Sequence, residues 1–193
     1  MGLLEEVTGN EMLGLGADLL LRGGWVTADT ERRLSPASSA LAWRVLELVP
    51  PAELRLLHRR IARALGALGA SPFVLALHGY KGELGEEALD QLETAARRSA
   101  QCTDEETAGL VHYRRALQVA RWQLLMPDTS PRVHELTLAM AEALLAAGHR
   151  RSAEMVVLEL DDVVPSDPGH LERLAALRAS LGLVPPGARC GAG

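Results

Sequence analysis

The chain has 193 residues, of which 48% are hydrophobic, and its formal net charge at pH 7 is −5. This length suits one domain or one domain with a small appendage, and the apolar content is enough to build a core. The acidic balance argues against nucleic-acid binding, which needs a clustered basic surface. No apolar run approaches the length of about 18 residues that spans a bilayer, and Glu5 and Glu6 stand where a signal peptide carries positive charge. We therefore expect a cytoplasmic protein with no membrane contact.

The first 36 residues are predicted to form a helix followed by a β-hairpin. The helix extends over residues 2–21, and Gly23-Gly24 ends it. A hairpin follows because residues 25–27 and 33–35 bracket a polar turn, with an apolar residue on each arm. A winged-helix module also ends with a helix and a hairpin. We therefore interpret residues 1–36 as a winged-helix-like remnant.

Residues 37–184 are predicted to be a second, helical-repeat domain, and residues 185–193 a disordered tail without periodicity. Prolines at helix starts and glycines at helix ends separate the helices. Thr103 is expected to cap one of them, with Glu106 completing a capping box. The predicted helices cover residues 37–49, 52–69, 72–80, 85–101, 104–125, 131–147, 150–164 and 170–181.

The sequence from Val133 to Pro168 is the centre of this domain, with two helices joined by a tight turn. Gly148 ends the first helix because glycine tolerates the left-handed conformation without a Cβ clash. Pro165 stops the second helix. Apolar residues recur at helical spacing along one face of each helix. The positions predicted to be buried in this pair are Leu136, Met140, Leu144, Leu145, Ala153, Val157 and Leu160.

The spacing of the glycines that are predicted to end helices indicates a repeat, since Gly182 lies 34 residues after Gly148. This is the length of a tetratricopeptide unit. Residues 134–167 resemble a tetratricopeptide repeat, with Ala141 and Ala153 at the small positions of its two helices. The resemblance implies an all-α fold in which antiparallel helix pairs stack into a right-handed superhelix.

The same segment departs from the repeat at two positions. Thr137 stands where the repeat has a large aromatic residue, and Leu144 stands where it usually has tyrosine. Pro165 matches the proline that terminates the unit. A second, weaker unit is marked by Gly109 and Tyr113.

A wider resemblance covers about residues 12–164. In this segment Leu57-His58-Arg59 lies in a helix that starts at a proline, His78 lies near a Gly-terminated helix, and the repeats follow. This order is similar to the helical arm of bacterial STAND-type signalling ATPases, which include MalT-like and LuxR-type regulators. The sequence has no GxxxxGK[ST] phosphate loop and no following DNA-binding domain. The resemblance therefore implies the regulatory arm without the ATPase.

No residue pattern in the chain indicates catalysis. The histidines form no HxxxH or HExxH pair, and Cys102 and Cys190 have no metal-ligand partner at short spacing. Adjacent acids diverge by about 100° on a helix, and a GxSxG nucleophile elbow is missing. Trp43 and Trp122 lie at helical positions and are predicted to pack between helices. We therefore predict no enzyme, no metal and no cofactor.

These observations predict a non-catalytic module for protein–protein interaction or signal sensing. In tetratricopeptide repeats the first helix of each pair lines a concave groove. The matching positions here are Glu135, Leu138, Glu142 and Glu172. An acidic and aliphatic groove would bind a basic or amphipathic segment of a protein or peptide.

Three alternatives remain open at this point. The chain could be a transcription regulator that contacts DNA through its winged-helix-like part. It could be a small enzyme or metal protein, against which the missing ligand spacing counts most. It could also self-associate, because its last helix has no second partner and would expose an apolar face to another chain.

Overall fold

The computed structural model describes residues 13–30, 34–101, 106–160 and 167–183. These residues are mostly helical, and their one sheet is a two-stranded antiparallel hairpin near the N-terminus. This confirms the predicted all-α fold with a small hairpin. The finer expectation of a tetratricopeptide-like superhelix stays a prediction. The expected cap at Thr103, the stop at Pro165 and the disordered tail at 185–193 lie outside the described residues.

The chain divides into two compact units, residues 1–70 and residues 71–193. The sequence instead placed a boundary after residue 36, because the hairpin suggested a separate module. In the structure the hairpin belongs to the same unit as the two helices that follow it. The elements of the first unit are α1 (Leu13–Arg22), β1 (Val26–Ala28), β2 (Leu34–Pro36), α2 (Ser39–Leu48) and α3 (Pro51–Ala67).

The hairpin of the first unit is short, and each of its strands begins one residue later than the predicted arm. Thr27 lies opposite Ser35, and Ala28 lies opposite Leu34. The carbonyl of Trp25 accepts a hydrogen bond of 3.0 Å from the amide of Ala37, which extends the pairing past the strands. The hairpin prediction is therefore confirmed.

Helix α2 begins at a serine cap and leaves most of its apolar residues exposed. The hydroxyl of Ser38 accepts a hydrogen bond of 3.2 Å from the amide of Leu41. No residue of α2 is buried, and Trp43 is 67% exposed. The prediction that Trp43 packs between helices is therefore wrong. In α3 the buried residues are Ala62 and Ala64.

The second unit is a series of helices packed in chain order. Each described helix contacts the next, and the last helix contacts the two before it. The elements are α4 (Pro72–Lys81), α5 (Glu86–Gln101), α6 (Glu106–Gln118), a π-helical turn (Val119–Gln123), α7 (Pro131–Ala146), α8 (Arg150–Leu160) and α9 (Pro168–Leu181). None of the described helices is both long and apolar enough to cross a membrane.

Helix α7 is the structural centre of the second unit because it contributes to both of its hydrophobic clusters. Val133 and Leu136 pack with residues of α4, α5 and α6. Leu138 and Ala141 pack with residues of α8 and α9. Thr137 is buried between them, and its hydroxyl donates a hydrogen bond of 2.7 Å to the carbonyl of Val133. That bond satisfies the polar group where the resembled repeat has an aromatic residue.

Two glycines end helices in the left-handed conformation, as predicted. Gly148 has φ +75° after α7, and Gly182 has φ +69° after α9. A side chain at either φ would be strained, which explains why glycine stands there. Only three residues separate α7 from α8, so these two helices form a tight antiparallel hairpin.

The predicted helix 104–125 does not continue as a regular α-helix. After Gln118 the chain widens into the π-helical turn, in which the amide of Leu124 donates to the carbonyl of Val119 at 3.0 Å. Val119 and Ala120 remain fully buried, whereas Trp122 is 73% exposed. The prediction that Trp122 packs between helices is therefore wrong. The wider turn places the small side chains inside and the tryptophan outside.

Candidate functional site

The acids that the sequence assigned to a binding groove are paired within the chain. Arg173 of α9 donates from Nη1 to Glu135 Oε2 at 2.6 Å. It also donates from Nε and Nη2 to the two carboxylate oxygens of Glu142, both at 2.8 Å. Charge-assisted pairs of this two-point form are among the stronger hydrogen bonds. Glu135 and Glu142 therefore join α7 to α9, and Arg173 balances one of their two negative charges.

The other two predicted groove residues lie in different environments. Leu138 is fully buried in the cluster formed with α8 and α9. It cannot line an open groove, so this part of the site prediction is wrong. The reason is that α7 packs against α8 and α9 at this position. Glu172 is exposed on α9.

Two histidines complete the contact between α7 and α9. The rings of His134 and His170 are stacked, with 5.2 Å between their centroids and 28° between their planes. His170 Nε2 lies 2.9 Å from Glu135 Oε2. Burial lowers the pKa of His134 below its ordinary value, and His170 lowers it further. The hydrogen bonds that Arg173 donates to Glu142 and Glu135 raise its pKa above the ordinary value, which keeps it cationic.

A second arginine joins α7 to α5 in the same way. Arg132 Nη1 donates to Glu86 at 2.8 Å, its Nε donates to Glu93 at 2.7 Å, and it also pairs with Asp90. Hydrogen bonds to Glu93 and Asp90 raise the pKa of Arg132 despite partial burial, which acts in the opposite direction. The acids of α5 are thus also paired internally, and we do not assign them to a partner.

A different surface is open to a ligand. A groove of about 600 Å³ lies between α6, the π-helical turn, α7 and α8. We call it the α6–α8 groove. Its apolar floor is formed by Leu110, Leu117, Met140, Leu144 and Val156.

The rim of the α6–α8 groove is basic. Arg114, Arg115 and Arg121 line it together with His149, and no Asp or Glu lines it among the residues that the structure describes. Trp122 also lines it. Arginine and tryptophan are enriched at the energetic centres of protein interfaces. The groove therefore combines apolar contact area with positive charge.

The three rim arginines differ in how far they are engaged. Arg115 lies over the ring of Tyr80, with 5.3 Å from its guanidinium carbon to the ring centroid. Arg121 Nε lies 2.8 Å from Asp128 Oδ1, an ion pair by distance that lacks the alignment of a hydrogen bond. Among the described residues, no carboxylate pairs with the exposed Arg114. Arg114 is thus the cation most available to a ligand.

Sequence reasoning missed this groove because it followed the repeat pattern to the first helix of each pair. The groove residues instead lie mainly on α6 and the π-helical turn. A usable signal was present in the sequence. Arg114, Arg115 and Arg121 occur within eight residues of Trp122, and this combination indicates a binding surface rather than a core.

Comparison with known proteins gives no relative for this chain. No protein-family model matches it, and neither does any curated protein or solved structure.

Proposed function

We propose that the chain is a non-catalytic protein-binding module that binds a partner segment in the α6–α8 groove. The observation that carries this proposal is the groove itself, with its apolar floor, arginine rim and exposed Trp122. An amphipathic helix is commonly bound in this way, with its apolar face in a hydrophobic groove. Leu144 and Met140 on the floor would contact such a face.

The biological setting of the proposal follows from the resemblance of residues 12–164 to the helical arm of STAND-type signalling ATPases. We place the module in the cytoplasm, as a regulatory arm or adaptor of bacterial signal transduction. In this role it would hold or release a partner protein. The series of packed helices supports the proposal, because helical-repeat surfaces commonly bind other proteins.

The proposal is tested by selecting helical peptides from a random library on the purified protein. Peptides that bind the groove should lose at least about tenfold in affinity when Trp122 is replaced by alanine. Trp43→Ala is the matched control, since Trp43 is 67% exposed and Trp122 is 73% exposed. Trp43 lies on α2, outside the groove, and its replacement should leave affinity unchanged. The proposal would be contradicted if the selected peptides bound the Trp122→Ala variant with unchanged affinity, or if the selection gave no binders.

A further inference from the structure

We infer that the segment bound in the α6–α8 groove is an acidic amphipathic helix, with carboxylates on either side of an apolar stripe. This inference rests on the proposed function. The inferred partner is acidic and amphipathic, whereas the sequence predicted a basic or amphipathic one.

The charge of the groove supports an acidic occupant. Three arginines and His149 line it, and no described Asp or Glu does, although the whole chain carries a net charge of −5. The positive charge is therefore a local feature of this surface. Complementary charge steers association and excludes partners of the wrong sign.

Two of the arginines can also bind a ligand with little loss of protein stability. Arg114 has no carboxylate partner among the described residues. Arg121 is paired with Asp128, whose side chain is 64% exposed. An exposed pair of this kind contributes little to stability, so a ligand carboxylate can replace Asp128. Two cations at the rim can thus be engaged without disrupting the fold.

The acids on the other side of α7 argue against a basic occupant at the predicted positions. A basic segment would have to compete with Arg173 for Glu135 and Glu142. Arg173 engages both carboxylates at 2.6–2.8 Å. Breaking this network would remove the ion pairs between α9 and α7, whereas binding at the α6–α8 groove leaves them intact.

The apolar residues of the groove define the rest of the ligand. Trp122, Leu144 and Val111 are at least partly exposed and supply contact area next to the arginines. A helix with apolar residues at i, i+3, i+4 and i+7 presents one continuous stripe to such a floor. Glutamates beside that stripe would then lie near Arg114 and Arg121.

Three synthetic helical peptides of about 18 residues test the inference. They share one leucine and alanine stripe and carry glutamate, glutamine or lysine at all other positions. We expect the glutamate peptide to bind at least about tenfold more tightly than the glutamine peptide, and the lysine peptide to bind most weakly. Raising the salt concentration from about 0.1 M to about 1 M should strongly weaken binding of the glutamate peptide, because the Debye length shortens from about 10 Å to about 3 Å. Binding of the other two peptides should not weaken strongly.

Charge-reversal variants locate the binding site. Arg114→Glu should weaken the glutamate peptide by about tenfold or more and strengthen the lysine peptide. Arg151→Glu is the control, since Arg151 is exposed on α8 and does not line the groove. It makes the same change in net charge and should alter affinity less than about twofold. Helicity measured by circular dichroism should be the same for both variants.

The outcomes separate the inference from the proposed function. If the glutamine peptide binds as tightly as the glutamate peptide, or if Arg151→Glu acts as strongly as Arg114→Glu, the inference is overturned. If no designed peptide binds but the library yields peptides that depend on Trp122, the inference fails and the proposed function stands. If neither set binds, both fail.

Discussion

Arg173 of α9 holds Glu142 of α7 through two hydrogen bonds of 2.8 Å, one to each carboxylate oxygen. A third bond of 2.6 Å goes from the same guanidinium to Glu135. This arrangement attaches the last described helix to the centre of the second unit. It also pairs the two acids that the sequence assigned to a partner, although both side chains remain partly exposed.

Replacing Arg173 should therefore change stability rather than peptide binding. We expect Arg173→Gln to lower the free energy of unfolding by about 1–2 kcal/mol, because a two-point, half-buried pair is worth more than an exposed one. Arg173→Lys should recover only part of this loss, since an ammonium group cannot form the fork. Urea denaturation measures the difference, with Arg151→Gln as an exposed control. Equal stability of Arg173→Gln and the wild type would contradict the role of this pair.

A substitution at Leu138 tests whether this residue belongs to the hydrophobic core or to a binding groove. It is fully buried, so Leu138→Ala should cost about 2–5 kcal/mol through lost contacts and a cavity. Leu171→Ala is the control, because Leu171 is 51% exposed on α9, and it should change stability by less than about 1 kcal/mol. Thermal unfolding of both variants compares the two. A stable Leu138→Ala protein that had lost only its peptide affinity would restore the original groove prediction.

The left-handed glycine after α7 should be sensitive to substitution for conformational reasons alone. A Cβ at Gly148 would meet no atom within 4 Å, but φ is +75°. We expect Gly148→Ala to cost about 1–2 kcal/mol, the penalty of a left-handed conformation for an L-residue. Gly66→Ala is the control, since Gly66 lies in helix α3 with no atom within 4 Å. There alanine should be neutral or stabilising, and a similar loss at both positions would contradict this explanation.

His134 should make stability depend on pH. Its pKa in the fold is lowered, by burial first and then by His170 and Arg173, although Glu135 acts in the opposite direction. The unfolded chain therefore binds more protons between the two pKa values, and stability is lost as the pH falls below about 6.5. His78 also has a lowered pKa, through burial and then Lys81, and adds a change of the same sign.

The variant His134→Phe tests this account, because phenylalanine can still stack on His170 but takes no proton. We expect the melting temperature of the wild type to fall from pH 7.5 to pH 5.5 and that of the variant to fall less. An equal fall in both proteins would exclude His134 as a source of the pH dependence.

Most of the fold could be predicted from the sequence because the residues that start and end its helices act locally. Proline at residues 51, 72, 131 and 168 starts helices, and Gly148 and Gly182 end them. The hairpin was likewise indicated by its polar turn. These signals act within a few residues and do not depend on tertiary contacts.

The candidate site could not be predicted in the same way because it depends on how the helices pack against one another. Leu138 and Leu144 lie six positions apart on α7, yet one is buried against α8 and α9 while the other contributes to the groove. The exposure of Trp122 depends on the π-helical turn, for which the sequence pattern gave no sign. The pairing of Glu135 and Glu142 could not be predicted because their partner, Arg173, lies more than 30 residues later in the sequence.

The most direct test of the account is the fluorescence of Trp122 during peptide binding. The chain has three tryptophans, so replacing Trp25 and Trp43 with phenylalanine leaves Trp122 as the only one. Because Trp122 is 73% exposed, its emission in the free protein should resemble that of tryptophan in water. The account predicts a blue shift that saturates as the glutamate peptide is added. Saturable binding of that peptide without any change in Trp122 emission would contradict the claim that the α6–α8 groove is the binding site.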